Sequence, residues 1–110
     1  MKDERIFFEH ILEAIDRIAL YTQAGEAAFY EDTKTQDAVL RNFQTMGQAA
    51  DDLSDDTQTA YPEIEWGDVI GFRNVIVHDY LGLDLPTVWS IITKDLPPLR
   101  ENIARILEDK

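Results

Sequence analysis

Gly71-Phe-Arg-Asn-Val-Ile-Val-His-Asp-Tyr80 is the stretch on which the reading of this chain turns. It sets a guanidinium, an imidazole and a phenol (Arg73, His78 and Tyr80) along an otherwise apolar run. Trp66, Ile70, Arg73, Val77 and Tyr80 follow a 4,3,4,3 spacing. A continuous helix from about Glu65 to His78 or Tyr80, stopped by Gly82, therefore places Arg73 in the middle of a buried stripe. An arginine there needs a partner, because desolvating its charge is costly; Glu13 and Asp51 are carboxylates that would serve. Gly71, Asn74 and His78 form a second stripe, with Asn74 and His78 neighbours at i,i+4 and Gly71 leaving room for a close approach. At about 100° per residue, Arg73 and His78 point about 140° apart. One helix does not readily turn both side chains onto one small substrate, whereas a cleft between two copies does. The expectation is a two-fold homodimer with the motif helices facing each other.

The flanking sequence supplies more helices and no alternation long enough for a strand. Phe8, Ile11, Leu12, Ile15, Ile18 and Ala19 give a first helix its apolar face, ending near Gly25. A short helical turn is predicted around Glu26 to Tyr30. Val39, Phe43, Met46, Ala50 and Leu53 make a 4,3,4,3 seam on a second long helix, with Thr33 as its N-cap. Residues Ser54 to Pro62 read as a polar connection. Asp84 and Pro86 suit the start of a helix carrying Val88, Trp89 and Ile92. Asp95, Pro97 and Pro98 restart or kink the chain before a last helix with Leu99, Ile103, Ile106 and Leu107. The fold class is all-α, an up-and-down bundle of four to five helices in a single domain over residues 1–110.

Composition narrows the function classes. An apolar content of 45% excludes a disordered chain, and zero cysteines exclude disulfides and thiolate metal sites. No apolar run approaches the roughly 20 residues that span a bilayer, and Met1-Lys-Asp-Glu-Arg5 lacks the apolar region of a signal peptide. The expectation is a cytoplasmic protein with no membrane contact. A net charge of −12 argues against tight, extended binding to nucleic acid, which usually needs a basic footprint. It leaves room for brief contact at a small positive cleft. Asp51, Asp52, Asp55 and Asp56 match no calcium loop and read as a solvated acidic turn. His10 reads as a surface or interface residue, and Trp66 and Trp89 as core or interface residues.

The order Arg73, four residues, His78, Asp79, Tyr80 resembles the Arg-x4-His-x-Tyr motif of the HEPN superfamily, specifically the HepT-like ribonuclease toxins. Tyr61-Pro-Glu-Ile-Glu-Trp66 before the motif, with Gly82-Leu-Asp-Leu-Pro-Thr-Val-Trp89 and Asp95-Leu-Pro-Pro98 after it, strengthens the likeness. So do Ala38-Val-Leu-Arg-Asn42 and Met46-Gly-Gln-Ala-Ala50, so that it covers essentially the whole chain. One departure is Gln48, where the family usually has Glu; this removes a charge near the expected core of the second helix. The resemblance implies a HEPN-like bundle and a metal-independent endoribonuclease without a cofactor. It also implies a toxin whose antitoxin partner, a minimal nucleotidyltransferase, transfers AMP to the motif tyrosine, here Tyr80.

The chemistry suits those residue types. Imidazole, with an unperturbed pKa near 6.5, can take a proton from a ribose 2′-hydroxyl or give one to a leaving 5′-oxygen. Guanidinium offers a planar pair of donors to phosphate oxygens as charge builds. Arg73 and His78 are thus the candidate catalytic residues. Asn74 has a supporting role at the imidazole or the phosphate, Asp79 one in orienting His78, and no residue is assigned to a metal. Each residue alone has a plainer reading: a structural histidine, a paired core arginine, a packing tyrosine. The alternative function is a non-catalytic HEPN module that complexes with a nucleotidyltransferase and supports its substrate binding or assembly.

Overall fold

The computed structural model describes residues 3–75 and 84–109, and every described regular element is helical. Four helical runs make the bundle: α1 (Arg5–Tyr21), α3 (Thr33–Asp52), α5 (Trp66–Gly71) with a following 3₁₀ turn, and the chain from α6 (Leu85–Ser90) into α7 (Leu96–Glu108). Two short helices, α2 (Glu26–Glu31) and α4 (Asp55–Ala60), serve as connectors. None of the described helices is long and apolar enough to cross a membrane.

Helix α3 is the centre of the packing: α1 lies along it, and α5 and the 3₁₀ turn lean on its C-terminal half. The predicted seam of Val39, Phe43, Met46, Ala50 and Leu53 is buried throughout. Phe8, Ile11, Ala14, Ile15 and Ile18 meet it from α1; Ala19, expected on that face, is exposed. Leu99, Ile103 and Ile106 close the core from α7. Trp66 is a core residue, ring edge towards Phe8 at 6.1 Å, its indole N–H donating to Tyr61 O at 3.1 Å. Trp89 packs on Phe29 at 5.5 Å.

Three local expectations are corrected. Asp32, not Thr33, caps α3: its Oδ1 accepts from the Lys34 and Thr35 amides at 3.0 and 3.4 Å, and Oδ2 from the Thr35 hydroxyl. A carboxylate satisfies these free amides and also faces the positive helix end, so it outcompetes the neighbouring hydroxyl. The stretch from Ser54 to Pro62 is not merely a connection, because Ser54 caps α4 through the Thr57 amide at 3.2 Å. Glu4 receives the Ser54 amide at 2.6 Å and the Thr57 hydroxyl at 2.6 Å, tying this corner to the start of α1. The third correction, the end of the motif helix, shapes the site and is taken up with it below.

Asp84 caps α6 as expected, accepting from Thr87 N at 2.8 Å, with Pro86 in the first turn. The prolines that follow do not break the chain. It passes through a π turn over Ile91–Asp95, in which Leu96 N–H bonds Ile91 O. Widening the turn in this way accommodates Pro97 and Pro98, which have no N–H to give, in the first turn of α7.

Candidate functional site

The motif helix stops early. After α5 ends at Gly71, Phe72–Asn74 form a 3₁₀ turn, and Val75 is extended at φ −69° and ψ 118°. The buried residues are Trp66, Val69, Phe72 and Val75, one every third position. A 3₁₀ turn has three residues per turn and eclipses i with i+3, so Phe72 and Val75 share the inward face. Phe72 packs on Phe43 with ring centroids 5.3 Å apart. Arg73 and Asn74 are thereby turned outwards, and Arg73 is not the buried residue of a long helical stripe. The 140° divergence expected between Arg73 and His78 loses its basis, because the helix has ended before the second residue.

A glycine sets this geometry, but not Gly71, whose α-carbon faces open space. It is Gly47 of α3. A β-carbon there would collide with the Arg73 amide nitrogen and lie 2.7 Å from Arg73 Cβ and 2.8 Å from Ile70 O. The α3 backbone thus lies directly against the backbone that carries Arg73.

Arg73 Nη1 donates to Asp51 Oδ2 at 2.7 Å, and the two side chains keep 38% and 45% of their surface exposed. Asp51 was one of the two expected partners, although the pair is at the surface and worth only about 0–1 kcal/mol. Arg73 and Asn74 line one end of an open polar groove of about 590 Å3, with Gln44, Gln48 and Arg41 on α3 and His10 on α1. Gln48 is exposed in this groove and donates to Asp52 Oδ1 at 3.1 Å. Gln48, expected near the core of the second helix, is therefore a groove residue. Arg41 and His10 had not been counted among the site residues. A polar stripe at Arg41, Thr45, Gln48 and Asp52, spaced 4,3,4 opposite the apolar seam, was the available signal. His78, Asp79, Tyr80 and the expected stop at Gly82 lie outside the described residues. Among the described residues, no group of three or more His, Cys, Asp or Glu could hold a metal ion.

Residues 11–106 match the family described as "Ribonuclease HepT-like". The chain belongs to this family. It is 30% identical over 108 residues to "Probable ribonuclease HepT" of Thermococcus cleftensis, covering 96% of each chain. It is 35% identical over 109 residues to "Gamma-glutamylcyclotransferase and putative RNase MJ0434" of Methanocaldococcus jannaschii. That alignment takes in 98% of this chain but only 49% of the relative, so the chain spans about half the length of that larger protein. No solved structure is matched at a significant level. Arg73, the arginine of the Arg-x4-His-x-Tyr pattern read from the sequence, is exposed on this polar groove.

Proposed function

We propose that this chain is a metal-independent endoribonuclease, the toxin of a toxin–antitoxin pair, in which Arg73 and His78 cleave RNA. The observation that carries the reading is the placement of the motif arginine. It lines an open groove, and among the described residues one exposed carboxylate, that of Asp51, engages it. A phosphodiester can compete for that guanidinium, because both groups accept the same planar pair of N–H donors. In the proposed step, His78 takes the proton of the ribose 2′-hydroxyl, the 2′-oxygen forms a bond to phosphorus, and the bond from phosphorus to the 5′-oxygen breaks. The leaving 5′-oxygen takes a proton from water, giving a 2′,3′-cyclic phosphate and a 5′-hydroxyl, and the imidazolium of His78 returns its proton to the hydroxide so formed. Arg73 holds the non-bridging oxygens as negative charge builds on them. Asn74, on the same groove, supports the phosphate, and Asp79 orients His78.

Control is assigned to Tyr80. A cognate minimal nucleotidyltransferase transfers AMP from ATP to the phenol oxygen and releases pyrophosphate. The added phosphate then repels the RNA phosphate near Arg73, and the nucleotide occludes the cleft. A two-fold homodimer of single-domain, cytoplasmic protomers completes the reading. It rests on family membership, because α5 ends at Gly71 and Val75 is extended, so the described residues carry no continuous helix beyond Asn74.

The second reading, a non-catalytic partner of a nucleotidyltransferase, is favoured by the net charge of −12. RNA cleavage by the purified protein in EDTA, with and without His78→Ala, separates the two. Cleavage that disappears in the variant supports the nuclease, and no cleavage by the unaltered protein supports the binding module. Intact-mass spectrometry after incubation with nucleotidyltransferase and ATP tests the control step, with AMP adducts expected to vanish in Tyr80→Phe. Adducts that persist in that variant overturn Tyr80 as the acceptor while leaving the nuclease untouched.

A further inference from the structure

The groove that begins at Arg73 runs along α3 to a second guanidinium. Arg41 lines the same groove as Gln44 and Gln48, and His10 of α1 lines it as well. The charges at the two arginines differ. Arg73 shares its charge with Asp51 at 2.7 Å. Arg5, Arg17 and Arg100 are likewise paired with carboxylates, and Arg105 donates to Asn102. Among the described residues, Arg41 is the one arginine whose guanidinium has no hydrogen-bond or ion-pair partner. In a chain of net charge −12, an uncompensated cation on a polar groove marks where an anion would be held.

We propose that Arg41, assisted by His10, is a phosphate-binding station for the RNA strand, separate from the phosphodiester that is cut at Arg73. This rests on the ribonuclease reading above. Arg41 and Asp51, the partner of Arg73, are ten positions apart on α3, about 15 Å along its axis. That is beyond the span of one phosphate group, so Arg41 contacts a different nucleotide. The imidazole of His10 offers a ring N–H to the same strand. Asp52, which also lines the groove, is hydrogen-bonded to Gln48 at 3.1 Å. The Arg41 end, where no carboxylate among the described residues engages the guanidinium, is the part of the groove most open to an anion. Such a station explains how an acidic protein secures a polyanion, with one or two local contacts and no basic surface.

The test uses the intact protein and a fluorescein-labelled single-stranded 2′-O-methyl RNA, which binds but lacks the attacking hydroxyl. Affinity is measured across a salt series, with cleavage kinetics on unmodified RNA alongside. Arg41→Gln should weaken binding about tenfold and flatten the log–log salt slope by about 0.7, the loss of one phosphate contact. Its KM should rise while kcat stays within about twofold. Arg41→Lys should keep the salt slope, since it keeps the charge, and His10→Gln should weaken binding about two- to threefold. If the unaltered protein binds and cuts RNA, and Arg41→Gln does so with the same affinity and slope, the station is wrong and the nuclease reading stands. If the unaltered protein neither binds nor cuts, both fall. A dimer lost in Arg41→Gln, seen by light scattering with RNA affinity unchanged, would assign the groove to contact between copies and overturn the proposal.

Discussion

Helix α3 has two faces with different work. One carries Val39, Phe43, Met46 and Ala50, all without exposed surface and packed among α1, α5 and the 3₁₀ turn. The other carries Arg41, Gln44, Gln48 and Asp52, which line the groove shared with His10, Arg73 and Asn74. Gly47 lies between the two and lets the arginine-bearing backbone close onto the helix. The inner face holds its place by burying apolar surface, so its energy is large and its tolerance of change is small. The outer face is solvated and costs little to alter. Stability and the proposed chemistry are thus separable on a single helix, except at the glycine where they meet.

Substitutions can break this division or sharpen it. The largest effect expected is that of Phe43→Ala, which empties the space against Phe72 and should cost about 3–5 kcal/mol in urea unfolding. A loss below 1 kcal/mol would mean the inner face is not the anchor described. Gly47→Ala should cost about 1–3 kcal/mol, since the added methyl overlaps Arg73 backbone and neither side of that contact is a flexible chain end. Because it displaces the guanidinium, its loss of RNA cleavage, measured where the variant is fully folded, should exceed that of any stability-matched core variant; equal losses would deny Gly47 a part in the site.

Smaller changes follow at the surface. Hydrogen bonds from Thr35 hold the Asp32 carboxyl below the ordinary aspartate range. Such a group contributes stability above its unfolded pKa, which is lost as the pH falls through its lower folded value. Asp32→Ala should therefore lower the unfolding midpoint at pH 7, with the gap to the unaltered protein closing below about pH 3.9; a gap independent of pH would contradict the cap. Asp51→Asn should have the smallest effect on stability, about 0–1 kcal/mol for an exposed pair. It should raise affinity for single-stranded RNA about two- to threefold by freeing Arg73. Weaker binding would make Asp51 a positioning partner, not a competitor.

The inner face was legible from sequence because burial leaves a period that one chain displays by itself. The α3 seam was read correctly for that reason, as was the α1 stripe apart from the exposed Ala19, whereas the Asp84–Pro86 start was legible from its capping carboxylate and proline. The motif helix misled because Trp66, Ile70, Arg73 and Trp66, Val69, Phe72, Val75 are both apolar-rich spacings. Packing on Phe43, close against Gly47, selects the second. Within the chain the close approach is made at Gly47, and the space over Gly71 stays open. Arg41 and His10 were missed because a polar stripe looks the same whether it faces water or lines a groove. Only the arrival of Arg73 across α3 distinguishes the two. The prolines beyond Asp95 raised the question of a break, and the π turn that accommodates them depends on hydrogen-bond register, which residue types do not reveal.

On the proposed function, Arg73 serves chemistry and not packing. Single-turnover cleavage of an RNA oligomer by Arg73→Ala and Arg73→Lys, beside their urea unfolding curves, tests it most directly. Arg73→Ala should lose at least a hundredfold in rate, Arg73→Lys should recover little because an ammonium lacks the planar fork, and both should unfold within about 1 kcal/mol of the unaltered protein. An Arg73→Ala protein that cuts RNA at the original rate, or whose loss of activity merely follows a loss of folding, would contradict it.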